Sequence, residues 1–158
     1  MPLDQRFVGK TYGPFRYQLG LEKMREFSYA VAGGVPSSGF SPAPEGLHPL
    51  LYDEEAAKKG PYGAVIAFPT FAVNFAIAPF AAAVGDPELG INLVMLVHGE
   101  QEFEFFDVLR AGEVVTTTGS ITQIYEKSQK DFLVVVTESK NAQGKLLLRA
   151  TCTAVIRR

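Results

Sequence analysis

From Val65 to Val84 no position carries a charged side chain, and the strongly polar residues in that run are Thr70 and Asn74. A helix that is apolar on every side has no solvent face, so it belongs inside a domain or in a bilayer. The run reaches the roughly 20 residues that a membrane span needs. Its interior argues against a span. Pro69 and Pro79 interrupt it, and each removes a backbone donor and crowds the preceding turn. Ala and Gly are frequent, and neither an aromatic belt nor a basic cluster flanks the run. It therefore reads as a buried central helix. Pro69 suits the first turn, where a missing N–H has no partner to lose. Pro79 kinks or divides the helix, and Gly85 suits its end.

The rest of the chain must wrap around this element. With 158 residues it has the length for one domain, residues 1–158, with a real core. A net charge of −2 recruits neither nucleic acid nor an anionic membrane surface. The single cysteine, Cys152, excludes an internal disulfide and a cysteine metal cluster. No phosphate loop, dinucleotide fingerprint or metal constellation is present, so neither cofactor nor metal is expected. The N-terminal MPLDQRFVGK is polar and lacks an apolar signal core. The expected location is the cytoplasm.

Residues 1–19 read as an extended lead-in. Leu21, Met24, Phe27 and Val31 then recur at helical spacing among charged residues, which predicts an amphipathic helix ending near Gly33-Gly34. Residues 33–49 are rich in Gly, Pro and Ser and read as a long loop. Asp53–Lys59 places acids first and bases last, as the helix dipole favours, and Gly60 closes that short helix. After the central run the pattern changes to period two. Residues 91–98 form a nearly continuous apolar run, expected to be a strand covered on both faces. Phe103 and Phe105 alternate with Glu102 and Glu104. Residues 113–125 are β-branched, with Gly119 marking a bulge, and 132–137 and 145–157 complete the set. The expectation is an antiparallel meander joined by short turns. The fold class is α+β, a curved antiparallel sheet wrapped around one long central apolar helix.

That description resembles the hotdog fold, which many families share, and three stretches make the likeness specific. HPLLYDEEAAKKGPYGAVIAFPTF, residues 48–71, resembles the segment leading into the central helix of MaoC-like hydratases and dehydratases. HGEQEFEFFDVLRAGE, residues 98–113, resembles the same family's central strand and the turn after it. VGKTYGPFRYQL, residues 8–19, resembles the lead-in of its N-terminal subtype. The resemblance implies a domain that pairs with a second hotdog domain, identical or homologous, and acyl thioesters on coenzyme A or acyl carrier protein as ligands. The implied reaction is reversible addition of water to a trans-2-enoyl thioester, giving an (R)-3-hydroxyacyl thioester. Such chemistry needs an acid/base pair and a donor for the thioester oxygen.

The parts that perform it are missing. Active members of the family carry an Asp, two residues, a Pro, one residue and a His. Aligned on Pro49, the Asp position here is Gly46 and the His position is Leu51. Active members also carry His-Gly where this chain has Phe68-Pro69, and a proline has no amide hydrogen to offer. No catalytic residue is therefore assigned. The same style before Thr-Phe marks the non-catalytic subunits of heterodimeric (3R)-hydroxyacyl-carrier-protein dehydratases, in which the partner brings Asp and His. The resemblance implies acyl contacts from Phe68, Thr70, Phe71, Asn74 and Phe75, although the aromatic stripe is read more simply as core.

Other residues have plain structural readings. His48 is expected to fix its loop through a side-chain hydrogen bond, and His98 to be structural or part of a dimer interface. Glu100, Glu102 and Glu104 recur at period two as a solvated strand face. Asn74 needs a partner if buried, from backbone or ligand. Cys152 is expected to be an inert core thiol. Three alternatives to the partnered subunit stand beside it: a homodimer active through His48, His98 or Glu100, a hotdog acyl-CoA thioesterase, and a non-enzymatic acyl-thioester binding protein. The thioesterase ranks lower, because the uncharged run offers no carboxylate to a water.

Overall fold

A computed structural model describes residues 2–34 and 42–157. Part of the long Gly/Pro/Ser loop expected at 33–49 lies outside the described residues. Five strands, β1 (Thr11–Gln18), β2 (Leu96–Phe105), β3 (Val114–Lys127), β4 (Lys130–Lys140) and β5 (Leu146–Arg157), form one antiparallel sheet. The helices are α1 (Leu21–Val31), α2 (Glu54–Lys59), α3 (Val73–Ala76) and α4 (Ala78–Val84). This is the expected α+β hotdog architecture.

The strand order is β1-β3-β4-β5-β2, so a meander joins only β3, β4 and β5. β2 does not pair with β3, the next strand in the chain. It crosses to the far side and pairs with β5 from Leu96↔Ile156 to Phe105↔Leu148. The crossing segment is held on its way. Ala67 N donates to Leu109 O at 2.8 Å, and Ala111 N to Val65 O at 2.8 Å.

The central run is helical from Pro69, but it is not one long helix. Pro69–Ala72 is a 3-10 turn with Pro69 in its first position, α3 follows, and a one-residue turn at Ile77 separates it from α4. Pro79 lies in the first turn of α4, where its missing N–H is tolerated. One side of this helical stretch is also uncovered. Pro69, Thr70, Val73 and Ala81 are exposed, so the expectation of burial on all sides fails. A single five-stranded sheet wraps only one side of the helix. That side is well packed, with Phe71, Ala72, Phe75 and Ala76 in one cluster and Phe80 and Ala83 in the next.

Gly119 is a point of close approach, and it also pairs with Tyr12 where the register of β1 against β3 shifts before Phe15. The register irregularity of β3 against β4 lies between Ile121 and Gln123. A Cβ at Gly119 would stand 2.6 Å from Pro79 Cβ and 2.9 Å from Thr137 Cγ2. The glycine lets the helix sit against the sheet. Gly119→Ala is expected to lower stability by about 1–3 kcal/mol, as overpacking does, measured by urea unfolding. A loss within error would show that the helix shifts freely.

Residues 91–98 also differ from expectation. Leu93–Met95 form a 3-10 turn whose first donor, Val94 N, is capped by the Asn92 side chain at 3.1 Å. The strand starts only at Leu96, and Val94 and Val97 are 90% and 43% exposed. β2 is covered only in part: Leu96 and Phe103 pack against the core, while Val97 and Phe105 are exposed. Elsewhere the pattern holds: Leu148, Ala150, Cys152, Ala154 and Ile156 of β5 are buried. Cys152 donates to Gln101 Oε1 at 3.0 Å, and burial pushes its thiol pKa up, as in an unreactive core cysteine.

Candidate functional site

The loop before the central helix is built from short, capped pieces. His48 Nδ1 accepts from Leu50 N at 3.2 Å and so caps the 3-10 turn Pro49–Leu51. Asp53 accepts from Glu55 N and Ala56 N and caps α2. Ile66 N then donates to Leu50 O at 3.0 Å. This bond, with the two that pair 65–67 against 109–111, draws three distant segments together. They border an open cavity of about 440 Å³ lined by Leu51, Ile66, Ala67, Pro69, Phe105, Phe106, Asp107, Val108 and Leu109.

Two of the three positions that the sequence resemblance aligned with catalytic residues meet here. Leu51 and Pro69 line the same cavity, and neither moves a proton nor donates a hydrogen bond. The third does not join them. Gly46 is exposed, lies outside this lining, and has φ +81°, a conformation that favours glycine.

Asp107 is the titratable residue of the lining, and the sequence reading did not single it out. Its carboxylate is fully engaged. Lys145 Nζ lies 2.6 Å from Oδ2, Arg110 Nη2 3.2 Å from Oδ1, and Val108 N donates to Oδ1 at 2.7 Å. Lys145, Arg110 and the Val108 amide hold it well below the usual carboxylate range. So weak a base does not take an α-proton near neutrality. Because its folded pKa is depressed, its contribution to stability is full above about pH 4 and is lost as pH falls below that. Asp107→Asn should therefore cost up to about 1 kcal/mol at pH 7 for this partly exposed group. The gap to wild type should narrow steadily as pH falls below about 4. A gap that stays constant in denaturant titrations over that range would contradict the assignment.

None of the five residues expected to contact an acyl chain is in the lining of this cavity. Thr70 is exposed, and Phe68 is half-buried 6.4 Å from Phe27. Phe71 is fully buried between Tyr17 and Phe27, and Phe75 packs on Tyr17 at 5.5 Å. Asn74 Nδ2 donates to Phe71 O at 2.9 Å, so backbone supplies its partner. His98 stacks on Phe80 at 5.2 Å, and Glu100 is exposed on β2.

Residues 6–150 match the pattern of the FAS1-like dehydratase domain region. The chain belongs to that family. Among relatives, a UPF0336 protein of Saccharopolyspora erythraea is 37% identical over 158 residues, covering 99% of this chain and 93% of its own. Among solved structures, a chain of the HadBC (3R-hydroxyacyl-ACP dehydratase) complex of Mycobacterium tuberculosis superposes with a TM-score of 0.75 at 25% identity. That match covers 94% of this chain and 96% of the other. A MaoC-like dehydratase superposes with a TM-score of 0.76 at 23% identity, over 96% of this chain and 42% of that longer one. The dehydratase family and the hotdog fold are thus those the sequence motifs implied. Within this FAS1-like dehydratase domain no described helix is long and apolar enough to cross a membrane. Among the described residues no cluster of His, Cys, Asp or Glu is placed to hold a metal.

Proposed function

We propose that this chain is the acyl-receiving subunit of a 3-hydroxyacyl-thioester dehydratase and works with a hotdog partner that supplies Asp and His. The observation that carries this reading is the cavity wall. Leu51 and Pro69, which alignment of the sequence on the family motifs sets at its His and oxyanion-binding Gly, both line it, and the one titratable lining group is a saturated carboxylate. An apolar cavity of this size suits an acyl chain, at about 0.8 kcal/mol per buried methylene. Thr70 and Asn74 lie on or beside the uncovered helix face and would meet ligand or partner there, while Phe71 and Phe75 act by packing beneath it. The similarity to a chain of the HadBC complex supports an assembly with a second hotdog chain.

The test is hydration of trans-2-enoyl-CoA thioesters, in which hydroxyl adds at C3 and a proton at C2. The purified chain alone should show no turnover above background. Turnover should appear when a hotdog partner bearing the Asp and His is added. A competent rate from the chain alone would overturn the proposal and direct mutagenesis to His48, His98 and Glu100. Thioester hydrolysis without hydration would favour a thioesterase, and binding without turnover under any pairing would favour an acyl-thioester binding protein.

A further inference from the structure

The sheet has two open edges, and they differ. On β1 the ladder to β3 is irregular between Tyr12 and Phe15, where Pro14 supplies no N–H. On β2 the outward edge runs from Leu96 to Phe105, and apolar residues crowd both of its ends. Leu93, Val94 and Val97 lie at one end, and Phe105 and Phe106 at the other, all exposed. An edge with that apolar surface is a pairing surface unless something blunts it.

What blunts it is charge on one face. Gln101, Phe103 and Phe105 pair with Cys152, Ala150 and Leu148, the inward residues of β5. Glu100, Glu102 and Glu104 pair with Thr153, Thr151 and Arg149 and share the other face. Glu104 is neutralised by Arg149 at 3.2 Å. Glu100 and Glu102 are exposed and have no ion pair among the described residues. Consider a second copy pairing antiparallel along this edge. A two-fold centred at Gln101 sets Glu100 opposite the copy's Glu102, twice. A two-fold centred at Glu102 sets Glu102 opposite itself and Glu100 opposite Glu104. Residues directly opposite stand about 4.5–5.5 Å apart, where like charges destabilise a pair.

We propose that the β2 edge docks a non-identical chain whose opposing strand carries Lys or Arg against Glu100 and Glu102, and that these two carboxylates prevent the chain from pairing with itself. The inference rests on the partnered-subunit reading and adds the chemistry that selects the partner. Specificity of this kind uses repulsion against the wrong partner as much as attraction to the right one.

The test uses the full-length chain and reads mass, not activity. Sedimentation and native mass spectrometry at low ionic strength would compare wild type, Glu100→Gln/Glu102→Gln, and an equimolar mixture of wild type with Glu100→Lys/Glu102→Lys. The neutral variant should self-associate about tenfold more tightly than wild type, from relief of the opposed pairs. Added salt should strengthen wild-type self-association, since it screens repulsion. The mixture should give a hetero-pair in at least about tenfold excess over either homodimer. Glu54→Gln/Glu55→Gln, which removes equal charge from α2, should associate as wild type does. Equal self-association of wild type and the neutral variant, a statistical mixture, or monomers only in the mixture would overturn the proposal. Because mass is the readout, a hetero-pair that forms while every catalytic pairing stays inactive would leave this inference standing and remove the dehydratase reading.

Discussion

Phe71→Ala should lower the stability of this domain by about 3–5 kcal/mol, enough to unfold much of the population if the native margin lies near the lower end of the usual 5–15 kcal/mol. Phe71 is fully buried in the first turn of the central stretch. Its ring meets Phe27 of α1 edge-on at 5.4 Å and Tyr17 of β1 at 6.4 Å. One side chain therefore ties the central stretch to both α1 and the sheet. Removing it opens a cavity where three elements converge, and none can collapse into the space without moving the others. Phe71→Leu keeps most of the volume and should cost no more than about 1.5 kcal/mol. Urea titrations followed by far-UV circular dichroism separate the two. A loss below about 1 kcal/mol for the alanine variant would show that this convergence does not hold the fold.

Leu51→Asp should cut the activity of the complemented enzyme about a hundredfold while leaving the chain folded. Leu51 is half-buried in the wall of the 440 Å³ cavity with Pro69 and Phe106. A carboxylate there keeps its water, so an acyl chain cannot dry that wall without leaving a charge unsolvated. A hundredfold loss corresponds to about 2.7 kcal/mol, or three to four methylenes' worth of burial. The expected kinetic signature is a higher KM for longer acyl chains and a smaller effect on short ones. The assay is kcat/KM across a chain-length series with the catalytic partner present. A uniform loss at every chain length would assign Leu51 to the docking of the partner instead.

The part of the candidate site that was legible before any coordinates consists of losses of chemical capability. Gly46 and Leu51 hold no exchangeable proton in their side chains, and Pro69 holds no amide hydrogen, whatever surrounds them. Asp107 was not legible. Its role depends on Lys145, 38 positions away, and no periodicity links a strand end to a distant hairpin. The five residues that the resemblance implied as acyl contacts were legible only as a list. Phe71 and Phe75 lie on the side of the helix that the sheet covers, and Thr70 on the side it leaves open. That division follows from where one sheet stops.

The sequence by itself determined the elements whose causes are local. The spacing of Leu21, Met24 and Phe27 specifies α1, Asp53 caps α2, and Pro69 and Pro79 set where the central stretch begins and breaks. Alternation specifies the inward face of β5. Tertiary structure decided the rest. Antiparallel neighbours need not be sequence neighbours, so β2 could pair with β5 rather than β3, and that choice exposes Val94 and Val97 on an open edge. The same crossover carries 109–111 against 65–67 and brings Leu51 and Pro69 to one wall. Local propensity acts within a turn or a strand. Which strand ends up at the edge depends on how the whole sheet closes around the helix.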